Sequence, residues 1–162
     1  MLPVEWRDGY VRFLDQTRLP AEERYVETTE PAVLAEALKT LAIRGAPLIG
    51  IAAAYGVALS IRALSEKDSP KLRSHLEKSI NLFASTRPTA VNLFWALERM
   101  RRTFLDNRRE PLPRLKDIIL KEALAIHEED RKMCEEIGRT GAEILPPAAS
   151  VLTHCNTGRL AT

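Results

Sequence analysis

The segment between Arg44 and Arg62 constrains the fold more than any other part of this sequence. It contains no charged side chain and consists mostly of Ala, Gly and Ile, so a helix built from it is apolar on nearly every side. Such a helix must be surrounded by other elements. It is shorter than the roughly 20 residues that a membrane span needs. We therefore predict a buried helix from Pro47 to about Leu64 at the centre of a helical domain.

Four amphipathic segments can supply the neighbours of this central helix. Their apolar residues recur every three or four positions, which is the spacing of one helix face. Proline suits the first turn of a helix, because the N–H group that it lacks has no partner there. The predicted helices begin at Pro31, Pro70, Pro88 and about Leu115, and the last one ends near Ile144. The apolar stripe of this last helix comprises Ile119, Ala123, Ile126, Met133 and Ile137. The sequence thus predicts a helical bundle over residues 31–145.

The first 28 residues predict short strands instead. "VEW" and "YVRFL" are rich in β-branched and aromatic residues, and Asp8-Gly9 between them is a favoured hairpin turn. "RYVETT" is a further extended segment. The predicted fold class is therefore mainly α, with a small antiparallel β element at the N-terminus followed by the helical bundle.

The last element, "ASVLTHC", is a short continuous apolar run of the kind that forms a buried parallel strand. No βαβ pattern earlier in the chain supplies the neighbouring strands that a parallel strand needs. We therefore expect the rest of its sheet to be encoded beyond Thr162. This divides the chain into an N-terminal domain, residues 1–147, and the first strand and turn of a truncated second domain, residues 148–162.

Charge and cysteine content exclude several classes of partner and compartment. The 24 basic and 22 acidic residues give a formal net charge of +2. There is no excess of positive charge of the kind that favours nucleic acid or an anionic membrane. Two cysteines do not make a disulfide framework, and the N-terminus has no apolar leader segment. We expect a cytoplasmic protein with no nucleic-acid or membrane partner.

Two arginines each precede a predicted helix start. Arg44 comes before "GAP", where the backbone N–H groups of Gly45 and Ala46 favour an anion, and Gly45 has no side chain to obstruct a phosphate. Arg87 stands before Pro88 in the same way, and two guanidinium groups that converge would clamp a phosphate. The alternatives are a glycine that only ends a helix and an ordinary Ser or Thr cap. Spacing alone favours these alternatives.

Cys155 is the candidate reactive group. It follows the predicted strand and precedes a turn, and ligands of open α/β sheets bind at the carboxyl ends of strands. A thiol there can act as acid, base or nucleophile when neighbouring charges lower its pKa. His154 would point to the opposite face of the strand. A structural buried cysteine is the alternative for Cys155, and core packing is the simpler role for Cys134. No ligand spacing suits zinc, and we predict no metal site.

Three segments together carry a resemblance to a known family. "RGAPLIGIAAAYGVAL", "TRPTAVNLFWALERM" and "LTHCNTGRLAT" closely resemble the methylthioribose-1-phosphate isomerase family. That family is related to regulatory subunits of a eukaryotic translation initiation exchange factor and to archaeal ribose-1,5-bisphosphate isomerases. The resemblance extends from "VEW" to the C-terminus. It implies that the final strand begins a Rossmann-like α/β domain that this chain lacks.

The resemblance also implies an activity and a set of site residues. The activity is conversion of the aldose 5-methylthioribose 1-phosphate to the ketose 5-methylthioribulose 1-phosphate in methionine salvage, without a cofactor. Arg44, Gly45 and Ala46 match the family's substrate- and phosphate-binding loop. Arg87 matches its second substrate-binding arginine, and Cys155 matches its catalytic cysteine. The resemblance implies a homodimer for a full-length parent, and it leaves the state of this chain open.

This chain departs from the family pattern in two ways. The family's catalytic Asp, a substrate-binding Gln and an Asn-Lys pair belong to the second domain, so we expect the chain alone to be inactive. Arg159 stands where the family has a small residue. Three alternatives stay open: a regulatory member that binds without turnover, a ribose-1,5-bisphosphate isomerase, and a self-contained helical interaction domain. Cys155 within "THCN" favours an isomerase over the regulatory member.

Overall fold

The strands and helices follow the order that the sequence predicts. The computed structural model describes residues 2–154 and 158–160. The three strands are β1 (Val4–Arg7), β2 (Tyr10–Leu14) and β3 (Tyr25–Thr28). The helices are α1 (Pro31–Lys39), α2 (Ala46–Arg62), α3 (Leu72–Ala84), α4 (Val91–Asp106) and α5 (Leu112–Ile144). The mainly α fold class with an N-terminal antiparallel β element is confirmed. The division into residues 1–147 and 148–162 stays a prediction.

The small sheet is antiparallel, in the order β1-β2-β3. Asp8 and Gly9 have φ angles of 38° and 100°, and both central residues of a type I′ hairpin turn need positive φ. The register places Val4 opposite Phe13. These two side chains and Val11 are buried against the helices, so one face of the sheet contributes to the core.

Helix α2 is the centre of the bundle, as its sequence predicts. It contacts β1 and all four other helices, and nearly all of its residues are buried. Neighbouring elements reach its backbone at two glycines. A Cβ atom at Gly56 would lie 2.0 Å from the ring of Phe83 in α3, and one at Gly50 would lie 2.7 Å from the carbonyl oxygen of Asn92 in α4. No helix in the part of the chain that the structure describes has the length and apolarity to cross a membrane.

Two predicted helix starts are wrong. Helix α3 begins at Leu72, after a short 3₁₀ helix, and not at Pro70. Helix α4 begins at Val91, because Pro88 lies in a turn in which the Ala90 N–H donates to the carbonyl of Arg87 at 3.0 Å. Proline fits the second position of such a turn as well as it fits the first turn of a helix.

The C-terminal part of α5 and the segment after it extend beyond the bundle. Met133 and Ile137 belong to the predicted apolar stripe, yet their exposed fractions are 55% and 66%. No other described element covers this part of the helix. Residues 148–154 of the predicted final strand form no strand pairing and are exposed. A strand forms only beside a hydrogen-bonding neighbour, and the described residues provide none there.

Candidate functional site

The loop between α1 and α2 presents the first candidate residues. Helix α1 ends at Lys39, so Gly45 does not cap it. Gly45 is instead the N-cap of α2. Its φ is 126°, a backbone conformation that residues other than glycine rarely adopt. Arg44 and Ala46 on either side of it are exposed. The three residues therefore lie at the free N–H groups of a helix start, as the sequence predicts. Their binding role stays a prediction.

A buried amide connects this loop to the C-terminal segment. Nε2 of Gln16 donates to the carbonyl of Arg44 at 3.1 Å and to the carbonyl of Leu160 at 3.2 Å. Leu160, in the segment that follows Cys155 in sequence, thus shares a hydrogen-bond donor with the loop before α2. Cys155 itself lies outside the described residues, and its predicted catalytic role is untested. The sequence analysis overlooked Gln16, because no helical or strand period marks it.

Arg87 lies in the turn between α3 and α4 and not at a helix start. Its side chain is half-buried, and its Nη1 atom is buried without a hydrogen-bond partner among the described residues. A buried guanidinium nitrogen normally has a partner, because an unsatisfied buried donor is costly. Arg87 is therefore a candidate for binding an anion. The contact between Gly50 and Asn92 shows that the first turns of α2 and α4 are adjacent.

A cavity of about 440 Å³ opens beside these two helix starts. Its walls are mostly apolar and come from α2, α4 and α5. Lining residues include Pro47, Gly50, Asn92, Trp95, Asp130 and Met133. The cavity can hold an apolar group of a ligand whose charged end lies at the start of α2.

Two acidic residues on α5, Glu129 and Asp130, line the cavity. Asp130 is buried, and this burial raises the pKa of its carboxyl group. Hydrogen bonds from the Arg99 guanidinium lower the pKa of Glu129. The sequence carried a signal for Asp130 that went unused: it lies four residues after Ile126 and seven after Ala123, so it is a charged residue on the apolar stripe.

Two further titratable side chains on α5, those of His127 and Cys134, do not line the cavity. The Tyr55 hydroxyl lies 2.7 Å from Nδ1 of His127 and joins α2 to α5. Burial lowers the pKa of His127, which favours the neutral form of the ring. Cys134 is a half-buried free thiol rather than a core residue. Among residues 2–154 and 158–160, no group of three or more His, Cys, Asp or Glu side chains is arranged to hold a metal ion.

The described residues form a helical bundle with a small antiparallel sheet, and the central helix begins at the loop of Arg44, Gly45 and Ala46. The chain matches the Initiation factor 2 subunit family over residues 42–162. It belongs to that family.

Individual relatives are more specific and confirm the resemblance to methylthioribose-1-phosphate isomerases. A methylthioribose-1-phosphate isomerase of Geobacter sulfurreducens is 50% identical over 98% of this chain. A 5-deoxyribose 1-phosphate isomerase of Moorella thermoacetica is 46% identical over 99% of this chain. In both comparisons the chain spans only 46% of the relative's length.

Solved structures agree with these relatives. The crystal structure of 5-methylthioribose 1-phosphate isomerase from Pyrococcus horikoshii superposes with a TM-score of 0.93 at 38% identity, and the match covers 99% of this chain and 45% of that one. The structure of translation initiation factor eIF-2B, subunit delta, from A. fulgidus gives a TM-score of 0.88 at 42% identity, over 100% of this chain and 47% of that one. The fold alone therefore does not separate an isomerase from its translation-factor relatives.

Proposed function

We propose that this chain supplies the phosphate-binding part of an aldose–ketose isomerase that acts on 5-methylthioribose 1-phosphate in methionine salvage, in the cytoplasm. One observation carries the proposal: Gln16 hydrogen-bonds both to Arg44, at the anion-binding start of α2, and to Leu160, in the segment that carries Cys155. Two motifs far apart in sequence thus meet at one place. The names of the relatives indicate which ligand that place binds.

The chemistry of the reaction suits these residue types. The phosphate on C1 prevents the sugar ring from opening as a free aldose does. The ring oxygen must therefore take a proton as its bond to C1 breaks, a hydrogen moves from C2 to C1, and the C2 hydroxyl loses its proton to give the ketone. Arg44, Arg87 and the N–H groups of Gly45 and Ala46 hold the phosphate. The Cys155 thiol is the proposed group on this chain that exchanges a proton with the sugar.

The apolar cavity is the proposed binding site of the 5-substituent of the sugar. A methylthio group is apolar and fits a cavity lined by Trp95 and Met133 more readily than a second phosphate does. The acidic Glu129 and Asp130 also disfavour a 5-phosphate, which argues against ribose 1,5-bisphosphate. A plain 5-deoxy sugar is the second candidate substrate, since the relative from Moorella thermoacetica is named for it.

The proposed site is shared with residues outside this chain. The chain spans 46% of the length of its relatives, and we propose that a full-length protein adds the second domain and dimerises. The chain alone then binds the sugar phosphate weakly and does not isomerise it.

Isothermal titration calorimetry of the purified chain with 5-methylthioribose 1-phosphate tests the binding. We expect Arg44→Met or Arg87→Met to weaken the affinity about tenfold, the loss of one charge-assisted contact. Arg139→Met is the matched control, because the partners of Arg139 among the described residues are Glu136 and Glu143 on its own exposed helix end. Absence of binding by the wild-type chain, or equal losses in all three variants, would contradict the proposal.

Thiol protection tests whether the bound sugar lies at Cys155, as the proposed isomerase site requires. A Cys134→Ser variant leaves Cys155 as the only cysteine, since the sequence has two. We expect saturating 5-methylthioribose 1-phosphate to slow alkylation of Cys155 by iodoacetamide, because the sugar covers the thiol. Binding without any protection of Cys155 would instead favour a regulatory member of the family that binds the sugar phosphate without turnover.

A further inference from the structure

Gln16 is a buried polar residue at the junction of three segments. It follows β2, and its exposed fraction is only 5%. Burying an amide costs free energy unless its hydrogen bonds are made. Gln16 donates three hydrogen bonds to carbonyl oxygens of two other segments.

The first of these segments is the loop before α2, which Gln16 holds at two points. Its backbone N–H donates to the carbonyl of Ala42 at 2.9 Å, and its side-chain Nε2 donates to the carbonyl of Arg44 at 3.1 Å. The same Nε2 donates to the carbonyl of Leu160 at 3.2 Å, so both amide hydrogens have acceptors. Both partners of Nε2 are carbonyl oxygens, which only accept hydrogen bonds. The amide nitrogen, and not the amide oxygen, must therefore face them.

These bonds determine the direction of a backbone donor at the proposed phosphate site. The carbonyl of Arg44 and the N–H of Gly45 belong to one planar trans peptide and point in opposite directions. Holding the Arg44 oxygen on Gln16 therefore turns the Gly45 N–H away from Gln16. The bond to Leu160 holds the segment after Cys155 against the same side of this peptide.

We propose that Gln16 is a positioning residue of the phosphate site. Its side-chain amide sets the orientation of the Arg44–Gly45 peptide and holds Leu160 beside this peptide, so that the Gly45 N–H faces one bound sugar phosphate monoester. This inference rests on the proposed function. It adds a residue that touches neither the phosphate nor the sugar.

The test compares Gln16→Met with Ser79→Ala in the full 162-residue chain. Methionine has about the length of glutamine but no donor, so the core stays filled. Ser79 is the matched control, because its exposed fraction is also 5% and its hydroxyl donates to Ser60 between α3 and α2. We expect Gln16→Met to weaken binding of 5-methylthioribose 1-phosphate about tenfold, whereas Ser79→Ala leaves the dissociation constant unchanged.

A second readout separates positioning from general stability. In ¹H–¹⁵N spectra of the wild-type chain, the Gly45 amide signal is expected to shift on titration with the ligand. We expect this shift to be lost or reduced at saturation in Gln16→Met and retained in Ser79→Ala. A structural role would instead lower the melting temperature and leave the shift of bound Gly45 intact, which overturns the proposal.

A third measurement needs no variant and serves if Gln16→Met does not fold. The side-chain amide protons of Gln16 in the wild-type chain are expected to exchange slowly with solvent, and more slowly still with ligand bound. Rapid exchange, as for an exposed glutamine, would overturn the inference. Absence of ligand binding by the wild-type chain would instead refute the proposed function, so the two failures are distinguishable.

Discussion

The two halves of α5 have a similar apolar spacing and very different surroundings. From Leu112 to Asp130, the residues on one face, such as Ile119 and Ile126, are buried against α2 and α4. From Arg131 onward, the same face continues through Met133 and Ile137, yet none of its described residues is buried. The spacing therefore determines that a helix forms and which of its faces is apolar. Whether that face is covered depends on the elements that lie opposite.

The largest expected contrast is between two isoleucines on this face. Ile119→Ala leaves a cavity in the core and should lower the free energy of unfolding by about 3 to 4 kcal/mol. Ile137→Ala removes an exposed side chain and should change it by less than about 0.5 kcal/mol. Urea unfolding followed by far-UV circular dichroism measures both. A comparable loss for Ile137→Ala would show that the second half of α5 is buried in solution.

Two glycines sharpen the comparison, because their substitutions should act in opposite directions. Gly56→Ala places a Cβ atom against the fully buried ring of Phe83 and should destabilise the chain by about 2 kcal/mol. At Gly138, in the second half of α5, a Cβ atom would have no described atom within 4 Å apart from its chain neighbours and the adjacent backbone of its own helix. Gly138→Ala should therefore stabilise the chain by about 0.5 to 1 kcal/mol through helix propensity. Thermal unfolding checks both signs, and a destabilising Gly138→Ala would contradict this account.

The pH dependence of stability should be a property of the covered half. The pKa of His127 is lowered in the folded chain, chiefly by burial, so the unfolded chain takes up its proton first as the pH falls. Stability should decrease as the pH falls through about 6.5, the usual pKa of histidine, and His127→Gln should make this decrease shallower. Urea unfolding at a series of pH values measures both slopes. Equal slopes in the wild-type chain and in His127→Gln would exclude His127 as the cause.

The smallest expected effect concerns Arg131, the first residue of the exposed half. Hydrogen bonds from Arg131 lower the pKa of the exposed Glu128 to about 2. Arg131→Met should move the pKa of Glu128 back towards its usual range, which a carboxyl NMR titration detects. The midpoint of urea unfolding should stay unchanged, because exposed ion pairs contribute little to stability. A clear loss of stability would indicate that this half is held in place by something other than its own turns.

Much of the fold follows from the sequence for local physical reasons. Helix α2 has no charged side chain before its last residue, Arg62, so it has to be buried. Asp8-Gly9 favours a two-residue hairpin. The predicted starts of α3 and α4 were wrong, because proline fits a β-turn as well as the first turn of a helix. Only the backbone hydrogen bonds of the folded chain distinguish the two. The exposure of Met133 and Ile137 depends on which elements face them, and the spacing of apolar residues carries no information about that.

The candidate site was less predictable than the fold. The helix-start position of Arg44 and Gly45 follows from local sequence. Arg87 was assigned to a helix start that the structure does not contain, although its buried Nη1 still marks it as a candidate ligand. Gln16 could not be found from the sequence, because its importance comes from two carbonyl groups that only the folded chain brings to it.

The hydrogen bond between Gln16 and Leu160 also bears on the order of events in folding. It joins residues 144 positions apart. Closing so long a loop costs chain entropy, and one hydrogen bond does not repay that cost in an unfolded chain. The bundle must therefore assemble before the C-terminal segment can dock. We expect the start of α2 and this segment to come together last during folding and to separate first when the molecule opens.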